Sequence, residues 1–142
     1  STEPKVIGPG PTLSPPGRVL LFASAVEIVT GLVSMADPAI VGSLLLGVDV
    51  SGAAALLARC FGIAVLALGL ACWPARKSSE SRSAAVRAML AYNVLIALYL
   101  AYLGTVGHVR ASMLWPAVAL HAAVALLLVW ARRAEQRSGT GA

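Results

Sequence analysis

The sequence predicts an all-α protein, a four-helix transmembrane bundle with up-down-up-down topology. Of its 142 residues, 58% are hydrophobic and only 12% are charged, and the mean hydropathy is +0.83. A soluble domain of this length needs a larger share of charged surface. Four apolar runs each come close to the roughly 20 residues that a helix needs to cross the hydrocarbon core. They lie at about 19–36, 52–73, 84–104 and 111–131, within one membrane domain at 18–133.

Most basic residues lie on one side of the predicted membrane. Nine of the eleven Lys and Arg residues precede the first span, lie between or beside the second and third spans, or follow the fourth. Arg110 is the one base in the other connections, and Arg59 is the one base within a span. Because cytoplasmic segments carry the excess of Lys and Arg, both termini and residues 74–87 are predicted to be cytoplasmic. The net charge of +5 thus reflects topology and attraction to anionic lipid, and no nucleic-acid binding is predicted.

Two tails and one outer segment flank the spans. Residues 1–17 contain five prolines and three glycines, which predicts an extended cytoplasmic tail, and residues 134–142 are predicted to form a second cytoplasmic tail. After the first span, Pro38 precedes an apolar run at 39–48 that is too short to cross the membrane. This run is expected to lie along the outer surface or to form a re-entrant turn.

Each predicted span contains one strongly polar side chain, namely Glu27, Arg59, Asn93 or His121. Counted from the outer end of its span, Glu27 and His121 are ten residues deep and Asn93 is eleven, which is roughly 15 Å. That depth is close to the midplane of a core about 30 Å thick. Arg59 is seven residues deep, roughly 10 Å, and its long side chain reaches farther. The four residues are therefore predicted to form one polar layer.

Small residues on the same helix faces predict that this layer is buried against other helices. Glu27 is the one acid within a span, as Arg59 is the one base. Because a lone charge at the bilayer centre costs about 2.5–3.5 kcal/mol, an ion pair between the two is predicted, with hydrogen bonds to Asn93 and His121. The four faces are Ser24, Glu27, Gly31 and Ser34; Ala55, Arg59, Gly62 and Gly69; Asn93, Ala97, Ala101 and Gly104; and Ala117, His121 and Ala125.

The polar layer has two interpretations: it fixes the register of the helices, or it binds a ligand. No metal or haem site is predicted, because His108 is 13 residues from His121, roughly 20 Å along a helix. Cys60 and Cys72 lie too far apart for a disulfide and have no metal-ligand spacing, so they are interpreted as packing residues. Tyr92, Tyr99 and Tyr102 are likewise interpreted as packing residues rather than as a quinone site. No catalytic motif is present, so no catalytic residue is assigned.

One stretch resembles a known family. The first span, the Pro-containing outer segment and "ARCFGIAVLALGLACW" are similar to small four-span bacterial proteins of the DoxX-like kind. In that pattern a polar residue of the second span, here Arg59, precedes spaced glycines, here Gly62 and Gly69. The resemblance covers residues 18–75 and implies a four-helix bundle in a bacterial inner membrane. It implies no single activity, because some members look like subunits of membrane oxidoreductases.

Three functions are compatible with these observations. The favoured prediction is a non-catalytic accessory subunit of a larger membrane complex, because the chain is small and lacks catalytic motifs. A second is a binder of a lipophilic molecule, a quinone or a lipid, at Glu27, Arg59, Asn93 and His121, where His121 can exchange a proton. A third is a small transporter or channel subunit. The expected partners are the lipid bilayer and other membrane subunits or further copies of the chain, with no other cofactor.

Overall fold

The computed structural model describes residues 12–74 and 78–139 and confirms an all-α four-helix bundle. Its helices are α1 (Pro15–Ala36), α2 (Pro38–Val41), α3 (Gly52–Cys72), α4 (Ser79–Thr105) and α5 (Leu114–Gly139), and a π-helical turn, Gly42–Leu46, follows α2. Four of them, α1, α3, α4 and α5, are long and apolar enough to cross a membrane. The chain is thus a small polytopic membrane protein. Most of the predicted N-terminal tail, residues 75–77 and residues 140–142 lie outside the described ranges.

Three of the four long helices, α1, α4 and α5, are longer than the predicted spans. Helix α1 includes Pro15 and Pro16, which were assigned to the tail, because the first turn of a helix does not need the missing N–H of proline. Helix α4 begins at Ser79, five residues before the predicted span, because the hydroxyl of Ser78 accepts the Ser81 N–H at 3.2 Å. Helix α5 begins at Leu114 and continues to Gly139, so the predicted C-terminal tail is helical over its described part.

The four long helices run antiparallel in sequence order around the bundle. Helix α1 packs along α3, and α4 packs along α5. These two pairs meet through α1 and α5, and less extensively where α4 approaches α3 and α1. Helices α3 and α5 do not touch each other in the described part of the chain. One end of the bundle, called the basic end below, holds the start of α1, the start of α4 and the end of α5.

The outward faces of the helices are mostly apolar within the four membrane-spanning stretches. Only 22–33% of each apolar stretch is buried inside the bundle. Within these stretches Leu57 is 71% exposed and Leu126 is 70% exposed. A water-soluble bundle would carry charged side chains at such positions, so these faces fit contact with lipid chains.

Helices α1 and α3 approach so closely that their backbones touch. A Cβ atom at Gly31 would lie 2.7 Å from both the Gly62 carbonyl oxygen and the Leu66 nitrogen. A Cβ atom at Gly62 would lie 2.8 Å from the Gly31 carbonyl oxygen. Seven residues farther along α3, Gly69 meets the carbonyl of Ser24 in the same way, at 2.9 Å. Such glycine contacts allow the dispersion interactions that hold helices together where water supplies no hydrophobic force.

The apolar core lies between α1, α4 and α5, toward the basic end. Leu20, Met89 and Leu128 come from these three helices and are fully buried. Cys72, at the end of α3, joins this core and its thiol approaches the Ala85 carbonyl oxygen at 3.6 Å. Cys60 lies on the exposed face of α3, and neither cysteine forms a disulfide within the described residues.

The predicted outer segment forms a short helix and a π-helical turn at the other end of the bundle. Asp37 starts it, because its Oδ1 accepts the backbone N–H groups of Ala39 and Ile40. The turn ends at Gly47, whose φ of 67° lies in the left-handed region. The Met113 N–H donates to the Leu44 carbonyl at 2.9 Å, which ties this segment to the residues before α5.

Candidate functional site

Glu27 lies in the middle of α1 and points into the bundle. Its side chain is only 2% exposed, and Ser24, one turn earlier, is fully buried. Its Oε1 lies 4.0 Å from Nδ1 of His121 on α5. Its Oε2 is buried and accepts no hydrogen bond, and the hydroxyl of Ser24 also has no partner. The α1 face predicted from Ser24, Glu27, Gly31 and Ser34 is buried throughout.

A short hydrogen bond joins α4 to α5 beside this carboxyl group. Asn93 Oδ1 lies 2.8 Å from His121 Nδ1. The amide nitrogen of Asn93 donates to the Met89 carbonyl at 2.8 Å, so its oxygen is the atom that faces the imidazole. Nδ1 of His121 therefore carries the hydrogen of this bond, and in the neutral ring Nε2 keeps a free lone pair. Asn93 is buried, whereas the His121 side chain is 14% exposed.

Tyr92 completes the arrangement from α4. Its ring meets the His121 ring edge to face, with centroids 5.9 Å apart and an interplanar angle of 80°. Its phenol group interacts with the carboxyl group of Glu27. Tyr92, which the sequence predicts to be a packing residue, therefore also contacts the titratable groups of α1 and α5. We refer to Glu27, Tyr92, Asn93 and His121 as the polar cluster.

Arg59 does not belong to the polar cluster, and the predicted ion pair with Glu27 is not formed. The Arg59 side chain is exposed, and its Nε donates to the Met35 carbonyl at 3.2 Å. Met35 follows Glu27 by eight residues, about 12 Å along the helix. Because α1 ends at Ala36, its last carbonyls lack helical partners, and a guanidinium group satisfies one of them there. The arginine thus caps α1 at the end of the bundle opposite the basic end instead of reaching Glu27 in the middle of the helix.

Replacing Arg59 by methionine is expected to lower the free energy of unfolding by about 1 kcal/mol, because it removes one hydrogen bond to a charged group at a partly solvated site. The measurement is SDS-induced unfolding in mixed micelles. Arg110→Met is the matched control, since Arg110 lies in the loop at the same end. A loss of 3 kcal/mol or more would contradict this role and would indicate a charge buried among the helices.

The described cavities lie near the two ends of the bundle. Two are at the end opposite the basic end, one beside the π-helical turn and one beside Trp115, and the third is at the basic end. No residue of the polar cluster lines any of the three. Within residues 12–74 and 78–139, no three His, Cys, Asp or Glu side chains are placed to hold a metal ion. His108 lies in the loop between α4 and α5, with a φ of 52°.

Comparison of the chain with known protein families, with curated proteins and with solved structures gave no match.

Proposed function

We propose that this protein binds a lipophilic molecule with a hydrogen-bonding head group, a quinone or a lipid, at the polar cluster. The observation that carries the proposal is the buried Oε2 of Glu27, which has no hydrogen-bond partner. Buried polar atoms are almost always paired, and an orphaned one calls for a physical explanation. Acidic groups inside the membrane commonly mark substrate or proton pathways.

The position of His121 supports a site that is reached from the lipid. The ring is partly exposed and also lies against the buried Glu27 and Asn93. Its Nε2 lone pair can accept a hydrogen bond from a ligand hydroxyl group, and the Tyr92 phenol is a donor within the same cluster. The described cavities do not lead to the cluster from either end, so a ligand would approach laterally between lipid chains.

Native mass spectrometry of the protein released gently from its source membrane tests this function. We expect the 14.5 kDa chain, or a small multiple of it, to carry a constant additional mass. His121→Asn should lower the occupancy at least tenfold, because it removes the ring that joins the cluster to the bundle surface. His108→Asn is the matched control, because His108 lies outside the cluster and asparagine tolerates its left-handed backbone. No bound small molecule on the wild-type chain, or equal losses in both variants, would refute the proposal.

An accessory subunit of a larger membrane complex is the second candidate. It is supported by the cavities at the two ends of the bundle, none of which is lined by the polar cluster, because a subunit needs no ligand route to these residues. The DoxX-like resemblance at residues 18–75 and the bacterial inner membrane that it implies are part of this proposal. So are the cytoplasmic termini, which the distribution of Lys and Arg predicts. The same spectra separate the candidates, because a subunit would leave the membrane only within a heavier hetero-complex. A transporter or channel subunit has less support, since Glu27 is shielded from water on both sides.

A further inference from the structure

A small cavity at the basic end lies between three helices. Its volume is about 180 Å³. Pro16 of α1, Ser79, Arg82 and Ser83 of α4, and Arg132 and Glu135 of α5 line it. It is smaller than the 300–1,000 Å³ typical of pockets for drug-sized ligands, so it fits a compact polar group. The polar cluster contributes nothing to it, so its occupant is independent of the proposed function.

The charges around this cavity favour an anion. Arg82 and Arg132 are both partly buried, and no carboxylate of the described residues lies within 4.0 Å of either guanidinium group. Glu135 is the one acid on the lining, which leaves a formal charge of +1. Ser83 accepts a hydrogen bond from Arg87 Nη1 at 3.1 Å, so a third guanidinium group contacts a residue of the lining. Unpaired arginines around a concave surface are suited to bidentate binding of a phosphate group.

The cavity lies at the level where lipid head groups are expected. Trp130 is 63% exposed and precedes Arg132 by two residues, and exposed tryptophans mark the membrane interface. Helices α1 and α4 both begin beside the cavity, and the first residues of each helix precede its apolar span. The start of α4 adds the positive end of a helix dipole to the arginines. An anion bound here would therefore be at the depth of a lipid phosphate.

We propose that Arg82 and Arg132 bind the phosphate group of an anionic membrane lipid in this cavity. Ser79 supplies a hydroxyl donor from the first turn of α4. The lipid chains would then lie along the apolar outer faces of α4 and α5. Basic pockets between membrane helices recognise head groups by the same combination of charge and shape.

Competition between two lipids tests the proposal. The full chain is reconstituted in nanodiscs with equal amounts of phosphatidylglycerol and phosphatidylcholine with matched acyl chains, and the retained lipids are counted by native mass spectrometry. We expect the wild-type chain to retain phosphatidylglycerol preferentially. Arg82→Gln and Arg132→Gln should each lower the ratio of the two retained lipids about fivefold. Glu135→Gln should raise the ratio, because it removes the one acid from the lining.

Arg133→Gln is the control, since it makes the same charge change on the next residue, which is exposed and does not line the cavity. An equal loss of preference in Arg133→Gln and Arg132→Gln would overturn the proposal in favour of diffuse charge attraction. A second arm adds inorganic phosphate to the detergent-solubilised chain. If Arg82→Gln and Arg132→Gln abolish retention of inorganic phosphate but leave the lipid ratio unchanged, the occupant is free phosphate and the lipid proposal fails.

Discussion

Gly62→Leu is expected to destabilise the bundle by about 3 kcal/mol or more, the largest effect of any substitution that we propose. A side chain at this position would meet the Gly31 backbone at 2.8 Å and the Ser34 side chain at 2.9 Å. A backbone carbonyl cannot move aside as a flexible side chain can, so α1 and α3 must separate. Overpacking of well-packed interiors costs 1–3 kcal/mol even where side chains can yield. Separation also removes the small-residue contacts that join these helices in lipid.

SDS-induced unfolding in mixed micelles, followed by tryptophan fluorescence, measures the loss. Ala64→Leu is the matched control, because Ala64 lies on the exposed face of α3 and the substitution places the same leucine side chain toward lipid. We expect its free energy of unfolding to stay within about 0.5 kcal/mol of the wild-type value, as is usual for surface substitutions. Equal stability of the two variants would show that the helices do not touch at Gly62.

A double-mutant cycle between Asn93 and His121 is expected to show a coupling energy of about 1–2 kcal/mol. Asn93→Leu alone should cost about 1–3 kcal/mol, because it leaves the Nδ1–H group of His121 without its acceptor at a partly buried site. Adding His121→Leu removes the orphaned donor, so the second substitution should cost less than it does in the wild-type background. Both single variants keep side chains suited to an apolar interior.

The cycle between Glu27 and Arg59 provides the contrast. Arg59 bonds to the far end of α1, so the effects of Glu27→Gln and Arg59→Met should add within about 0.5 kcal/mol. The same SDS titrations supply all the values. Strong coupling between Glu27 and Arg59, with additivity between Asn93 and His121, would mean that the cluster has been assigned to the wrong residues.

The fold class could be predicted because hydropathy and length alone decide whether a helix crosses a membrane. Three of the four predicted polar residues also meet, since depth in the membrane follows directly from residue counting. The small residues around Glu27 correctly predicted the buried face of α1, because helical spacing fixes which residues share a face.

The role of Arg59 could not be read from depth. Its long side chain reaches several ångströms either toward the midplane or toward the outer surface, and the unpaired carbonyl of Met35 decided the direction. Tyr92 was missed because a tyrosine on a membrane helix has the same sequence signature whether it packs, faces lipid or meets a carboxyl group. The extra turns of α4 and α5 were missed because polar residues outside the membrane carry no hydropathy signal, although Ser78 capping was visible in principle.

The close contact of α1 with α3 has a consequence for the order of assembly during biosynthesis. Both helices leave the ribosome before α4 and α5, and their glycine contact needs no later segment. We therefore expect the first hairpin to associate as soon as it is inserted. Glu27 then lies in the bilayer without its neighbours in the polar cluster until the second hairpin, which contains Tyr92, Asn93 and His121, packs against the first. The cost of leaving this acidic side chain without partners thus favours association of the second hairpin with the first.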